Sequence, residues 1–92
     1  MKVTLFPREN DTYLLQVDNV ITTISDRALI YILEGKSYSE DEGWTRIKDR
    51  DAIALPNEVR IFVPDKNDFI AELKKARQYV DAQDDTYSFE VE

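Results

Sequence analysis

The sequence predicts a small α+β fold: a single domain over residues 1–92 with a mixed, mostly antiparallel sheet of about five strands, one long helix and one short helix. Three observations predict this class. Residues 13–17 and 58–64 alternate apolar and polar side chains, as half-buried strands do. Residues 68–82 repeat apolar side chains at the helical period. A chain of 92 residues, 42% of them hydrophobic, can bury one core but not two.

The first 24 residues are expected to form three strands. Residues 2–8 place Val3 and Leu5 on one face, and Pro7 suggests that this strand lies near a sheet edge. The polar residues 9–12 form a turn into a second strand at 13–17. Asp18 and Asn19 are then suited to a tight turn that leads into the β-branched stretch 20–24.

The short helix is predicted at residues 26–34. Ser25 is a good N-cap, Asp26 favours the first turn, and Gly35 falls where a left-handed residue ends a helix. The alternative is a buried strand at 28–33, because an apolar stretch this short has no decisive period. The helical interpretation buries the side chains of Ala28, Leu29, Ile32 and Leu33.

The second half of the chain predicts a connection, then strand, helix and strand. Residues 38–51 are interpreted as a connection, and residues 51–55 as a short strand or a turn of helix. A strand at 58–64 precedes acidic capping residues at 65–68 and a helix that ends near residue 82. Residues 86–92 form a final amphipathic strand. If the strands on either side of this helix pair in parallel, the crossover should be right-handed.

The composition excludes several kinds of site. The chain has no histidine and no cysteine, so catalytic triads, thiol nucleophiles and ordinary zinc sites cannot be built. Its two glycines, Gly35 and Gly43, lie too far apart in the sequence to form a phosphate-binding loop or a dinucleotide-binding motif, so no cofactor is expected. We therefore expect a protein that is not an enzyme.

The net charge of −7 argues against direct binding to nucleic acid and against an anionic membrane surface. The absence of cysteine and of a long apolar segment predicts a cytoplasmic protein. Because the core is small, a homodimer would not be surprising.

The stretch 38–51, YSEDEGWTRIKDRD, could be a metal loop, a binding site or a connection. Aligning Gly43 with the glycine of a calcium-binding loop places Tyr38 where the first carboxylate ligand is required, so the match fails. Weak divalent binding by Glu40, Asp41 and Glu42 stays open, although consecutive exposed acids are usually only solvated.

Trp44 has two interpretations. In the first, it anchors the core beneath the connection, as large aromatic residues do in small domains. Alternatively, Trp44 and Tyr38 form a protein-binding hot spot with the basic residues Arg46, Lys48 and Arg50.

The acids form two groups along the chain, at 40–42 and at 81–85, and no basic residue follows Arg77. If the two groups meet in space, they form an anionic surface for a basic partner; otherwise they are solvated helix-end and loop acids. The candidate partner-binding residues are Tyr38, Glu40, Asp41, Glu42, Trp44, Asp81, Asp84 and Asp85.

Three functional hypotheses follow. The first is an acidic adaptor or inhibitor that binds a larger protein with a basic or mixed surface, with a nucleic-acid-mimicking inhibitor as a special version. The second is a small carboxylate-based enzyme or ligand-binding domain, in which a clustered pair such as Asp49 and Asp51 would perform acid–base chemistry if burial separated their pKa values. The third is a structural subunit that self-associates through an open strand edge or an exposed aromatic face.

Overall fold

The structure, a computed structural model, describes residues 1–39 and 42–92, without the side chains of Tyr38 and Ser39. Within these residues the chain forms eight strands and two helices. The predicted α+β class, with one long and one short helix, is confirmed. In chain order the elements are β1 (Lys2–Pro7), β2 (Thr12–Val17), β3 (Val20–Ser25), α1 (Asp26–Glu34), β4 (Ser37–Ser39), β5 (Glu42–Ile47), β6 (Arg50–Leu55), β7 (Val59–Phe62), α2 (Lys66–Gln83) and β8 (Tyr87–Glu90).

The strands form two four-stranded sheets rather than one mixed sheet of about five strands. One sheet has the order β3-β2-β1-β8 and the other has the order β4-β5-β6-β7. Every pairing between the described strands is antiparallel. The strands on either side of α2 belong to different sheets, so the expected right-handed parallel crossover does not occur.

The second sheet was not predicted, because β5 lies in the stretch that the sequence indicated to be a connection. The start of β5 departs from the period of two, because Gly43, with a positive φ of 96°, and Trp44 are both buried although they are consecutive. The pairing of β4 with β5 also shifts register between Ser37 and Ser39 of β4. Lys48 and Asp49, both with positive φ, then turn the chain from β5 into β6. Residues 50–55 are a strand, which resolves the alternative of a helical turn.

The prediction that the first strand lies near an edge is wrong, because β1 lies between β2 and β8. A proline in a central strand usually removes a ladder hydrogen bond. Here β8 pairs only with residues 2–5 of β1, so Pro7 at the end of β1 lies beyond the paired segment on that side. Pro7 therefore interrupts no pairing with β8.

Both helices begin and end where the local signals predict. The Ser25 side chain accepts a hydrogen bond from the Ala28 amide, and Gly35 has a left-handed φ of 72° at the end of α1. The Asp65 side chain accepts a hydrogen bond from the Asp68 amide at the start of α2. The four residues expected on the inner side of α1 are buried: Ala28, Leu29, Ile32 and Leu33.

Helix α2 joins the two sheets into one core. The ring of Phe69, on α2, packs edge-to-face against Trp44 of β5 and against Phe89 of β8, with ring centroids 6.0 Å apart in each pair. The same helix packs on β1, on β8 and on α1, and α1 packs on β3 and β5. The carboxyl end of α2 consequently lies beside the first sheet and its amino end beside the second.

Candidate functional site

A cleft of about 190 Å³ opens where the carboxyl end of α2 meets the turn between β1 and β2. Three carboxylates line this cleft, those of Asp11, Asp81 and Asp84. Asp26 is connected to Asp81 through Arg77, and Asp85 follows Asp84 in the chain. We call these five carboxylates the acidic end: Asp11, Asp26, Asp81, Asp84 and Asp85. Two arginines, Arg8 and Arg77, accompany these five carboxylates. The cleft is lined by Pro7, Arg8, Asp11, Thr12, Tyr13, Val80, Asp81 and Asp84.

Tyr13 ties α2 to the first sheet at the base of the cleft. Its hydroxyl donates a hydrogen bond of 2.6 Å to Oδ1 of Asp81, 68 positions later in the chain. Burial of the phenol, and then the hydrogen bond to the Asp81 carboxylate, raise the pKa of Tyr13 to about 12. The phenol therefore stays protonated at neutral pH and holds the Asp81 carboxylate in place.

Arg77 links α1 to α2 behind the cleft. Its Nη2 lies 2.8 Å from Oδ1 of Asp26, and its Nε lies 3.5 Å from Oδ2 of Asp81. The Asp26 amide also donates to the Asp11 carbonyl at 2.9 Å, which joins the start of α1 to the turn between β1 and β2. Because Arg77 already contacts two carboxylates, its charge is largely offset within the protein.

Two acids of the acidic end, Asp84 and Asp85, lie at the carboxyl end of α2, where the helix dipole disfavours negative charge. Asp84 ends α2 with a left-handed φ of 50°, and Asp85 follows it, while the last turn of α2 contains no basic residue. A carboxylate near a helix carboxyl end is disfavoured by roughly 0.3–1 kcal/mol, because the end carries a partial negative charge. The acidic end therefore concentrates negative charge at a local cost in stability.

The second group of predicted acids lies elsewhere. Glu42 is half-buried and borders a different cleft, beside the turn formed by Pro56, Asn57 and Glu58. The predicted residues Glu40 and Asp41, and the side chain of Tyr38, lie outside the described residues. The cleft beside Glu42 and the cleft beside Asp81 and Asp84 have no lining residue in common. The described part of the 40–42 group therefore does not join the acidic end.

Trp44 is a core residue with 2% of its surface exposed, which confirms the core interpretation and corrects its assignment to a partner-binding surface. Its Nε1 donates a hydrogen bond of 2.8 Å to the carbonyl of Ile32 on α1. The Nζ of Lys66 lies 5.0 Å from the centroid of the ring, a cation–π contact that covers the ring from the start of α2. The hot-spot hypothesis for this side chain is therefore wrong.

The acidic pair considered for acid–base chemistry is not arranged as a site. Asp49 is exposed in the turn between β5 and β6, whereas Asp51 lies 3.4 Å from Nη1 of Arg46. Asp51 borders a shallow cleft with Trp44, and Asp49 is not among the residues that line it. Across residues 1–39 and 42–92, no group of three Asp or Glu side chains is placed to hold a metal ion.

Two residues of the acidic end, Asp11 and Asp26, and the tyrosine that binds Asp81, Tyr13, were not expected from the sequence. Local patterns assigned them to a turn, a strand and a helix start, and the structure confirms these positions. Their convergence on Asp81 depends on contacts across more than 50 residues, as in the 51-residue separation of Arg77 and Asp26. No local signal in one sequence carries that information.

In the described part of the chain, neither helix has the length and apolar character needed to span a lipid bilayer. No known protein family, curated protein sequence or solved structure matches this chain.

Proposed function

We propose that this protein is a small, non-enzymatic interaction module of the cytoplasm, an adaptor or inhibitor that binds a larger protein through its acidic end. The partner presents a basic or mixed surface. The observation that carries the proposal is the convergence of Asp11, Asp81 and Asp84 on one open cleft, from segments about 70 residues apart. Distant segments have placed like charges together at the surface, against the repulsion between them.

The charge arrangement suits recognition better than stability. Two carboxylates about 8 Å apart in water repel each other by roughly 0.5 kcal/mol, and the helix dipole disfavours those that follow α2. Residues that oppose local stability are often retained for function. A basic partner would relieve this repulsion and would be steered toward the cleft.

The test compares two variants that remove equal charge from different places. The first is the triple variant Asp11→Asn, Asp84→Asn and Asp85→Asn. Asn is the best replacement because it tolerates the left-handed φ of 57° at Asp11 and 50° at Asp84. The Asn carbonyl can also keep the acceptor role of Asp85, whose side chain accepts from the Thr86 amide at 2.8 Å.

The control is the triple variant Asp18→Asn, Asp49→Asn and Glu58→Gln, which changes the net charge by the same amount. These three residues are exposed and lie in turns outside the acidic end. Asn at position 18 can still accept from the Lys2 amide, as Asp18 does at 2.9 Å. A simple effect of net charge would therefore weaken binding equally in both triple variants.

The probe is an arginine-rich peptide of about 20 residues, and its binding is measured by fluorescence anisotropy at low and high salt. Three carboxylates worth about 0.5 kcal/mol each predict roughly tenfold weaker binding for the acidic-end variant at low salt. The control should bind within about twofold of the unchanged protein, and about 0.3 M NaCl should remove most of the difference. Equal weakening in both variants, or no weakening in either, would contradict the proposal.

A further inference from the structure

Strand β3 is an edge of the first sheet, and no described strand pairs with its outer side. Arg8 contacts it through Nη1, which donates a hydrogen bond of 3.2 Å to the side-chain hydroxyl of Thr23 and leaves the backbone of Thr23 unpaired by this contact. The strand is outermost in the order β3-β2-β1-β8, and its first two residues, Val20 and Ile21, expose 40% and 57% of their surface. Ile21 is the most exposed large hydrophobic residue in the described chain. One exposed apolar side chain therefore lies on each face of the sheet at this edge.

The backbone of β3 has hydrogen-bonding groups that point away from the sheet. In antiparallel pairs, successive residues alternate between facing the neighbouring strand and facing away. The Asp26 amide donates to the Asp11 carbonyl, so residue 26 faces β2. In the same register the even-numbered residues of β3, at 20, 22 and 24, also direct their amide and carbonyl groups toward β2. The amide and carbonyl groups of Ile21 and Thr23 therefore face outward.

The other sheet edges are protected in ways that β3 is not. Strand β4 has three residues, and β8 has four and ends on Glu90. Strand β7 has four residues, carries Arg60 and is followed closely by Pro64. Short length, charge and nearby proline are the devices that proteins use to prevent edge pairing.

Strand β3 has none of these devices. Its six residues, VITTIS, contain no charge and no proline, and its register with β2 runs without a bulge from Val17–Val20 to Thr12–Ser25. Five of its six residues are β-branched and therefore favour the extended conformation that strand pairing requires. An edge of this kind accepts another extended strand, and β3 fits that description.

We propose that two copies of this protein associate by antiparallel pairing of β3 with β3, around a two-fold axis at Thr22. In this register Ile21 of each copy lies opposite Thr23 of the other, and these residues exchange four main-chain hydrogen bonds. The β3-β2-β1-β8 sheet of one copy and the same sheet of the other copy then form one continuous sheet of eight strands.

A second copy is the occupant that these observations favour. Pairing at Thr22 places Val20 opposite the second copy's Ile24 on the inner face, and it places the two Ile21 side chains diagonally on the outer face. Both exposed apolar residues gain cover. Each copy carries a net charge of −7, so a neutral strand is the part of the surface where two copies can approach with least repulsion.

The interface is small, because it consists of one six-residue strand from each copy. Interfaces well below the standard size of roughly 1,600 Å² are usually weak. The dimer should therefore form at protein concentrations approaching about 1 mM and dissociate at about 10 μM. Raising the salt concentration should strengthen it, because salt screens the repulsion between like-charged copies.

The experiment is sedimentation velocity at about 10 μM and about 1 mM, in low and moderate salt. The test variant is Ile21→Lys, which adds a charge to the edge, and the matched control is Gln78→Lys on the exposed surface of α2. We expect the unchanged protein and the control to dimerise at high concentration. Ile21→Lys should dimerise at least about tenfold more weakly.

A second variant tests the backbone contribution. Thr23→Pro removes the outward N–H of position 23 but leaves the bonds between β3 and β2, which involve the even-numbered residues. It should remain monomeric at about 1 mM, with far-UV circular dichroism confirming its fold. In the unchanged protein, amide exchange at Ile21 and Thr23 should slow as the concentration rises, which tests the same contacts without a substitution.

A protein that stays monomeric at about 1 mM in moderate salt would overturn the proposal. So would a dimer that persists equally in Ile21→Lys, because its interface would then lie elsewhere, for example at Phe62 or Tyr79. The proposal is independent of the acidic end. The two associations respond oppositely to salt, so the failure of one can be told from the failure of the other.

Discussion

Replacing Trp44 with Phe should destabilise the protein by about 1.5–2 kcal/mol. The indole is 2% exposed and connects its own strand to two helices. It packs edge-to-face on Phe69 of α2, donates through Nε1 to the Ile32 carbonyl of α1, and belongs to β5 of the second sheet. A benzene ring in its place keeps the packing on Phe69 but loses the hydrogen bond and part of the filled volume.

The magnitude follows from two terms. Phe is smaller than Trp by roughly 40 Å³, and unfilled core volume costs about 24 cal/mol per Å³, which gives about 1 kcal/mol. The lost hydrogen bond contributes about 1 kcal/mol at most. The Ile32 carbonyl still accepts from the Gly35 amide at 3.2 Å, so it is not left without a partner, and the second term lies at the lower end of its range.

The assay is urea unfolding followed by far-UV circular dichroism, because Trp44 is the only tryptophan and the variant loses its fluorescence signal. With a slope of about 1 kcal/mol per M, the midpoint should fall by roughly 1.5–2 M. The control Phe62→Leu, at a side chain with 36% exposure, should change stability by less than about 1 kcal/mol. If Trp44→Phe unfolds within about 0.5 kcal/mol of the unchanged protein, neither the filled volume nor the indole hydrogen bond stabilises the core, which refutes the predicted loss of stability.

Two further predictions concern the acidic end and the first helix. Because the pKa of Tyr13 is raised from 10.0 to about 12, the folded state holds this proton more tightly than the unfolded state does. The resulting stability is fully present below about pH 10 and is lost as the pH rises toward 12, by up to roughly 2 kcal/mol. Urea unfolding at several alkaline pH values should show this loss in the unchanged protein, and Tyr13→Phe should lack it; identical alkaline profiles would contradict the role of Tyr13. Gly35→Ala should cost about 1–2 kcal/mol, because Gly35 has a φ of 72° and an added Cβ would lie 3.3 Å from Cδ1 of Ile70. Thermal unfolding measures this change, and an unaltered midpoint would show that the end of α1 relaxes without strain.

The helices could be predicted closely because their signals are local. Ser25, Gly35 and Asp65 act on backbone groups no more than four residues away, and the apolar spacing of α1 and α2 reports one buried face. Strand β5 could not be predicted in the same way. Gly43, with a positive φ, and Trp44 are buried in succession, so the stretch lacks the period of two and looks like a connection even though it forms half of a regular hairpin with β6.

The candidate site was predicted only in part. The acids Asp81, Asp84 and Asp85 were expected to contribute, and they lie together at the end of α2. The sequence left open whether the 40–42 group meets them, and Glu42 borders a separate cleft beside Pro56, Asn57 and Glu58. Glu42 precedes Trp44 by two positions in β5, and Trp44 packs on Phe69 near the start of α2. From Phe69 to Val80 the helix rises by about 16 Å. Asp11 and Asp26, rather than Glu42, complete the acidic end.

The sequence by itself determined the α+β class, the two helices with their caps, the acidic balance and the lack of imidazole and thiol groups. Composition and short-range hydrogen bonding decide these properties, and both can be read along the chain. Only the tertiary structure decided that the strands divide into two sheets, that Trp44 lies inside, that Asp81 meets Tyr13, and that β3 stands open at an edge. Strand pairing brings together residues up to 90 positions apart, as in the bond from the Met1 amino group to the Val91 carbonyl. The energy of such pairs depends on the packing of the whole domain, which no local stretch of sequence specifies.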